Sequence, residues 1–447
     1  MRFTVERDVL AEAVAWVARS LPSRPVLPIL SGLLLEADAD SLTLSCFDYE
    51  VSARIRIEAE VADPGTVLVP GRLLAEITRS LPPRGVEFDH GADDVTLTCG
   101  PASFTLVTLP VRDYPRLPEL PRLAGTVDGG VLAAAIGQVV PAASRDDTLP
   151  VITGVNVEID GDVIKLVATD RYRLAVRELG WQPAQPGAAG TLLVPARTLA
   201  DAARMMTPGV PVQVMMGGEQ RGAWTADGNT GDADSLRAAD AMIGFESSGR
   251  RLTTRLIAGE YIKYSSRFPE DFGSCGDMPA VPLTEAVKRV ALVAERGSSV
   301  RLSFGNGKVT IEAGTEGQAR ARETVPADFS GNETVIAFSP HYLLDGLGAA
   351  LTAATGSSAT GSSAGSEKPR RTGKDGPGKD SPGKDGPGKD SPGKAGPDAD
   401  PSPDEARIRL QFTSATKPAL ITGSAGADDK SDRDYRYLVV PLRALTG

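Results

Sequence analysis

The sequence predicts an α+β protein built from three similar units in series, each with two helices and antiparallel strands. Three observations carry this reading. Leu27-Pro28-Ile29-Leu30-Ser31-Gly32 returns as Leu149-Pro150-Val151-Ile152-Thr153-Gly154, an offset of 122 residues. Leu10-Ala11-Glu12-Ala13-Val14 returns as Leu132-Ala133-Ala134-Ala135-Ile136 at the same offset, and Phe47-Asp48-Tyr49 is answered by Thr169-Asp170-Arg171. A third copy of the opening helix stands at Leu283-Thr284-Glu285-Ala286-Val287. Solenoid repeats run about 20–50 residues, so a period this long means whole domains. Function then belongs to the series of units, not to one cleft.

Unit one spans residues 1–122. Arg2 to Glu6 alternates like a strand, and Asp8 is placed to cap a helix with Leu10, Val14 and Val17 on one face. Strands are expected at Leu33–Ala37, Ser41–Cys46, Val51–Ala59 and Thr66–Val69. Val69-Pro70-Gly71-Arg72 opens a second helix ending near Leu81-Pro82-Pro83. Further strands are expected at Val86–Phe88, Val95–Thr98 and Ser103–Val107, before a proline-rich connection from Pro110 to Pro121.

Unit two, residues 123–278, replays this order. Its second helix opens at Val194-Pro195-Ala196-Arg197, 125 residues after the first, and residues 217–241 read as an expanded glycine-rich loop. Unit three, residues 279–447, begins with a helix expected at Leu283–Glu295, and Ser339-Pro340-His341-Tyr342 opens its second helix. Residues 353–406 are low-complexity, centred on five tandem pentapeptides from Gly373 to Pro397. Their lysines and aspartates nearly balance, and their composition offers too little apolar surface to order. The fold resumes at Arg407-Ile408-Arg409-Leu410 and closes at Tyr437–Arg443.

Bulk properties exclude several classes. With 447 residues, 41% hydrophobic and 24% charged, the chain reads as globular, and its net charge of −10 argues against coating nucleic acid by bulk charge. Three cysteines, Cys46, Cys99 and Cys275, are too few for a disulfide framework and read as buried thiols of a reducing cytosol. No signal peptide is read at Met1-Arg2-Phe3-Thr4-Val5, and no apolar run nears the roughly 18 residues of a membrane span.

Candidate chemistry is sparse. The two histidines, His90 and His341, lie in different units, which disfavours a catalytic triad or a histidine metal site. Gly373-x4-Gly378-Lys379 touches the phosphate-loop pattern, but Asp380 stands where Ser or Thr must bind magnesium. No cofactor, metal site or enzymatic activity is expected. The cations are more informative. Arg72 and Arg79 are seven residues apart, two helical turns, and Arg197 and Arg204 repeat the spacing on the equivalent helix. Two such pairs suggest equivalent helices presenting charge to one object, for which phosphate backbone is the natural candidate. Unit three departs, with Tyr342 and Ala349 at those positions and Lys288 and Arg289 on its first helix. Arg24 is a further exposed candidate.

At these residues the chain resembles the bacterial sliding clamp family, the beta subunits of DNA polymerase III. The resemblance rests on the three-unit repeat, Arg24-Pro25-x-Leu27-Pro28-Ile29-Leu30, Ala168-Thr169-Asp170-Arg171-Tyr172-Arg173-Leu174-Ala175-Val176 and the terminal Val440-Pro441-Leu442-Arg443. Asp48-Tyr49-Glu50-Val51-Ser52-Ala53 resembles the actinobacterial branch. The resemblance implies a head-to-tail homodimer, a six-domain ring around double-stranded DNA, held without sequence preference. Arg24, Arg72, Arg79, Arg197, Arg204, Lys288 and Arg289 would face the duplex. Phe104 and Leu106 of one subunit would meet Leu292 of the other. It also implies a cytoplasmic, replisome-associated processivity factor for the polymerase III alpha subunit, the clamp loader and other proteins carrying the clamp-binding motif.

Their peptides would enter an apolar pocket of Ile152, Thr169, Tyr172, Arg173, Leu174, Ile262, Ser266, Val440, Pro441 and Leu442. The family's rim usually carries an aromatic-Pro pair followed by Arg; here Tyr261-Ile262 and Ser266 stand there, and Val440 replaces a frequent Met. That departure raises an alternative, a specialised paralogue with altered partner or inhibitor binding. An enzyme acting on DNA and a scaffold that never meets DNA are the readings from other classes.

Overall fold

The computed structural model describes residues 1–217, 241–295, 297–314, 319–355, 406–424 and 434–442. Most of the predicted 217–241 loop, nearly all of the 353–406 tract and Arg443 lie outside the described residues.

Unit one contains β1 (Arg2–Glu6), α1 (Arg7–Ala18), β2 (Gly32–Asp38), β3 (Ser41–Phe47), β4 (Val51–Glu58), β5 (Glu60–Asp63) and β6 (Gly65–Pro70). It continues with α2 (Gly71–Ser80), β7 (Gly85–His90), β8 (Asp94–Cys99) and β9 (Ala102–Val107). Unit two contains β10 (Arg122–Asp128), α3 (Gly129–Val139), β11 (Gly154–Asp160), β12 (Val163–Thr169), β13 (Arg173–Gly180), β14 (Gln182–Pro183) and β15 (Ala189–Pro195). It ends with α4 (Ala196–Ala203), β16 (Pro211–Gly217), β17 (Met242–Ser247) and β18 (Arg250–Arg255). Unit three contains β19 (Ser274–Pro279), α5 (Ala280–Ala291), β20 (Val300–Gly305), β21 (Lys308–Gly314), β22 (Arg320–Pro326), β23 (Asp328–Ser330) and β24 (Thr334–Phe338). Then follow α6 (Pro340–Thr355), β25 (Arg407–Phe412), β26 (Ala419–Ser424) and β27 (Tyr435–Val439).

Each unit therefore opens with a strand running straight into a helix. Asp8 does not cap α1: the cap position is Glu6, whose side chain makes no capping bond, and Asp8 lies in the first turn. There its carboxylate complements the helix dipole instead. Asp128 does cap α3, accepting from the Val131 amide at 3.0 Å. Helix α5 starts three residues before the predicted Leu283 and stops at Ala291, while α6 carries the chain through Ala353 to Thr355. β19 pairs with β25 and β23, so pairing groups residues 274–278 with the third unit's strands.

Every unit splits into a five-strand half and a four-strand half. The halves join across unit boundaries. β14-β10-β16-β17-β18 of unit two continues into β4-β3-β2-β6 of unit one, and β15-β11-β12-β13 of unit two continues into β27-β26-β25-β19-β23 of unit three. Each joint thus completes a nine-stranded sheet. The register sets Leu252 opposite Ala53 at the first joint and Tyr437 opposite Ala175 at the second. Two partial sheets remain, five-stranded β5-β1-β7-β8-β9 and four-stranded β22-β21-β20-β24.

The helices pack in pairs, α1 on α2, α3 on α4 and α5 on α6, and α3 also meets α6 across the second joint. Leu10, Val14 and Val17 are buried beneath α1 as the periodicity predicts. Cys46 and Cys99 are buried thiols, but Cys275 is half-buried, because its position on β19 faces away from the helices' core. Among the described residues, no helix is long and apolar enough to cross a membrane.

Candidate functional site

The predicted cations are all exposed, but they are not equally free. Arg72 donates from Nη2 to the carbonyls of Leu21 (3.2 Å) and Pro22 (3.0 Å), so it also braces the turn that carries Arg24. Arg204 is the residue just after α4, not inside it, and bonds Asp201 at 3.0 Å. Lys288 pairs with Glu285 at 2.9 Å. Arg289 grips Glu323 with two nitrogens, at 2.6 and 3.1 Å, and holds that carboxyl below its ordinary range. Among the described residues, no ion pair engages Arg24, Arg79 or Arg197. Sequence spacing located this charge but could not show that three of seven cations carry an acidic partner.

The second joint contains the most connected side chain. Thr169-Asp170-Arg171-Tyr172-Arg173 folds as a tight turn between β12 and β13. Asp170 Oδ1 accepts the amides of Tyr172 and Arg173, both at 3.0 Å, and Arg171 takes a positive φ of 79°. Unit one repeats the device: Asp48 Oδ1 accepts the amides of Glu50 (3.0 Å) and Val51 (2.7 Å), and Tyr49 has φ 76°. The turn aims Arg173 into the joint, where it is 8% exposed. Its guanidinium donates to Asp170 Oδ2 at 3.0 Å, to Asp345 of α6, to the Pro141 carbonyl and to the Tyr437 hydroxyl at 3.4 Å. It also lies 4.4 Å over the Tyr342 ring. Burial opposes its charge, yet Tyr437, Asp345 and Asp170 outweigh that and push its pKa up. Arg173, expected in the pocket, is buried at the joint and ties units two and three together.

Beside this tie lies an apolar surface. Val440 donates its amide to the Tyr172 carbonyl at 2.8 Å, and Leu442 donates to Ala337 at 2.8 Å, so the terminal segment is held along the joint. Tyr172, 54% exposed, stacks on Tyr342 at 6.2 Å. Ile262, Val440 and Leu442 are exposed too, whereas Ile152, Thr169, Leu174 and Pro441 are buried and back them. Leu174 belongs to a cluster with Val167, Val176, Tyr264, Leu420 and Leu438, which draws on both units. Thr169 turns its hydroxyl inward, donating to the Arg173 carbonyl at 2.6 Å. Ser266 sits exposed in a short helical turn, Ser265–Arg267. At the chain's other ends, Leu292 is 84% exposed, Val107 74% and Phe104 37%, while Leu106 is buried.

Comparison with known proteins decides the family. Family models of the DNA polymerase III beta subunit match in series: the N-terminal domain over residues 1–118, the central domain over 126–263 and the C-terminal domain over 266–357. The chain belongs to the DNA polymerase III beta subunit family.

The chain is 45% identical to the beta sliding clamp of Streptomyces coelicolor over 99% of both chains. It is 38% identical, with the same coverage, to the beta sliding clamp homolog GriR of Streptomyces muensis. Among solved structures, the Bacillus subtilis DNA polymerase sliding clamp superposes with a TM-score of 0.75 at 23% identity, covering 99% of both chains. The Pseudomonas aeruginosa clamp solved with griselimycin gives 0.74 at 24% identity, again over 99% of each. Membership in the clamp family makes this a DNA-binding processivity factor of replication, non-catalytic by nature. Among the described residues no group of three or more His, Cys, Asp or Glu could hold a metal.

Residues that sequence reasoning missed are the partners of Arg173: Asp345, Tyr437, Tyr342 and the Pro141 carbonyl. Asp170 alone had a signal, as the fixed acid of the Ala-Thr-Asp run.

Proposed function

We propose that two copies of the chain close head to tail into a ring around duplex DNA, with a peptide pocket at each joint of units two and three. The observation that carries the ring is the strand order. Each joint within the chain unites a five-strand half and a four-strand half, and the unused halves at the ends number five and four strands. An edge strand left unpaired is a liability, and an edge-to-edge closure removes both at once. By equivalence with β18 on β4, the open edges β9 and β22 pair between subunits. The register of the first joint then places Phe104 opposite the partner's Ala321, as Leu252 stands opposite Ala53. Exposed Leu292 follows α5 as Arg19 follows α1, next to that seam, which suits the contact of Phe104 and Leu106 with Leu292.

The helices and adjoining turns carrying Arg24, Arg72, Arg79, Arg197, Arg204, Lys288 and Arg289 then face the enclosed duplex. Contacts to phosphate without base reading permit sliding, and encirclement supplies retention. Loading the protein onto nicked circular DNA with its clamp loader and then linearising the circle tests this: release on linearisation is expected, and retention refutes encirclement. Arg72, Arg79, Arg197 and Arg204 reversed to Glu should abolish processive synthesis, whereas unchanged processivity favours a scaffold.

The pocket offers Tyr172, Ile262, Val440 and Leu442 as rim and Ile152, Leu174 and Pro441 as floor for the anchors of polymerase and clamp-loader peptides, and such apolar anchors dominate binding energy. A second reading, a paralogue specialised in partner or inhibitor binding, rests on exposed Ile262 and Ser266 at the rim. Griselimycin, held by the Pseudomonas aeruginosa clamp, and a consensus clamp-binding peptide separate the two. Ordinary peptide affinity with full competition by griselimycin removes the case for specialisation.

A further inference from the structure

The two internal joints share a backbone but not a polarity. At the second joint a guanidinium, Arg173, fills the space between turn, strand and helix. The residue 122 positions earlier is Val51, and Asp48 corresponds to Asp170 by the same offset. Pro141, whose carbonyl receives Arg173, corresponds to Arg19. Tyr342, on which Arg173 lies, corresponds to Arg197, and Tyr437 corresponds to Leu252. The first joint has thus lost its central cation and gained two cations on its walls.

A cavity of about 290 Å³ remains there, lined by Arg19, Arg24, Arg197, Asp48, Asp201 and Leu252 among others. That is just under the roughly 300–1,000 Å³ of sites for drug-sized ligands, a size for a small group. Both acids are already engaged: Asp201 pairs with Arg204 at 3.0 Å, and Asp48 accepts the Glu50 and Val51 amides. Among the described residues, the three arginines have no acidic partner. Arg24 is set in place by the turn that Arg72 braces.

We propose that this cavity seats one phosphate group, bound jointly by Arg19, Arg24 and Arg197. Guanidinium forks match phosphate geometry and form charge-assisted hydrogen bonds with it. Two sources share this chemistry, a backbone phosphate of the encircled duplex and free phosphate. The first rests on the ring reading above and fixes the register of the duplex against one joint per subunit.

The test uses the full chain and two variants, Arg19→Gln and the triple Arg19→Gln/Arg24→Gln/Arg197→Gln. Affinity for a fluorescent duplex is measured from 50 to 200 mM salt. One phosphate contact contributes a slope of about 0.9 in log K against log salt, or roughly a 3.5-fold change across this range. A shared seat predicts the same loss of slope in both variants, about 0.9 per seat occupied. A loss that grows with the number of arginines removed means diffuse charge and overturns the seat. So does an unchanged slope in Arg19→Gln when wild type binds with normal salt dependence, and that outcome leaves the ring reading intact. If wild type shows no salt-dependent duplex binding, the duplex is not the source of the phosphate. Calorimetry with inorganic phosphate then decides the seat alone: heat with wild type and none with Arg19→Gln keeps it as a free-phosphate site, and no heat with either overturns it. Arg19 is exposed and its side chain makes no hydrogen bond or ion pair among the described residues, so its replacement does not test folding.

Discussion

Removing the guanidinium at Arg173 should unlock the second joint, and its cost can be worked from the contacts. Arg173→Ala leaves Oδ2 of Asp170, whose side chain is 12% exposed, and the Pro141 carbonyl without their guanidinium donor, while the Tyr437 hydroxyl keeps its 2.8 Å bond to the Tyr342 carbonyl. Asp345, at 39%, rehydrates and adds little. Breaking a buried pair costs about 3–5 kcal/mol, and with one acid left near water the low end, about 3 kcal/mol, is expected. Arg173→Lys should recover only part of this, because a point charge cannot reach four partners on different elements at once. The assay is amide exchange at Val440, whose N–H bonds the Tyr172 carbonyl across the joint. Protection there should fall by about two orders of magnitude, the rate equivalent of 3 kcal/mol. Affinity for a clamp-binding peptide should fall in parallel, since the turn that carries Tyr172 is freed. A drop below fivefold in Val440 protection would refute the role of Arg173 as a tie.

Three other outcomes follow from the geometry. Phe104→Cys with Ala321→Cys, in a Cys275→Ser background, should give a covalent dimer on oxidation, because directly opposed strand residues lie about 4.5–5.5 Å apart, within disulfide range; a dimer by gel filtration that never crosslinks would sink the proposed register. Gly346→Ala should cost about 1–3 kcal/mol by overpacking, since its Cβ would lie 2.5 Å from the rigid Tyr437 ring; an unchanged urea midpoint counts against this. Alkali should unfold the chain early. Burial pushes the Cys46 thiol from 9.0 up to about 12 and raises Tyr114, Tyr261, Tyr264 and Tyr437 above their usual 10.0. These groups stay protonated in the fold, so their contribution is complete below pH 9 and is lost as pH climbs towards 12, at about 1.4 kcal/mol per pH unit for each group in its window. Equal urea midpoints at pH 8 and 10.5 would contradict it.

The repeat was legible because identical folding problems leave identical local solutions. The Pro-initiated second helices and the Asp48 and Asp170 turns are set by residues a few positions apart, and the sequence shows them directly. Short edge strands such as β5, β14 and β23 escaped notice. With two to four residues each, they have no periodicity, and they exist only because a neighbour supplies hydrogen bonds. The limits of α5 were missed for a related reason: β19 runs into it without a capping side chain. The tie that Arg173 makes is not legible in the sequence, because its partners, Asp345 and Tyr437, are 172 and 264 residues away. A tie across a joint is tertiary, and spacing along the chain carries no trace of it.

The three joints of the proposed ring use one backbone plan with three chemistries, and the differences follow from what each must do. The second joint is filled by Arg173 and backs an apolar surface, so a bound peptide meets a firm floor. Firmness matters, because an interface that must order itself loses binding energy to entropy. The first joint keeps the same turn but places arginines around open space, which suits a ligand arriving from outside the chain. The third joint unites separate chains. Its parts carry exposed Phe104, Val107 and Leu292, and Ala319 stands at the position equivalent to Arg173, since Ala321 takes the place of Ala175. A closed ring reaches circular DNA only by opening somewhere. In the proposed ring, a seam of strand pairing without a covalent linker opens at lower cost than either internal joint. An Arg173-like tie engineered across that seam should therefore stabilise the dimer and slow loading together; a variant that gained the first without the second would place the opening elsewhere.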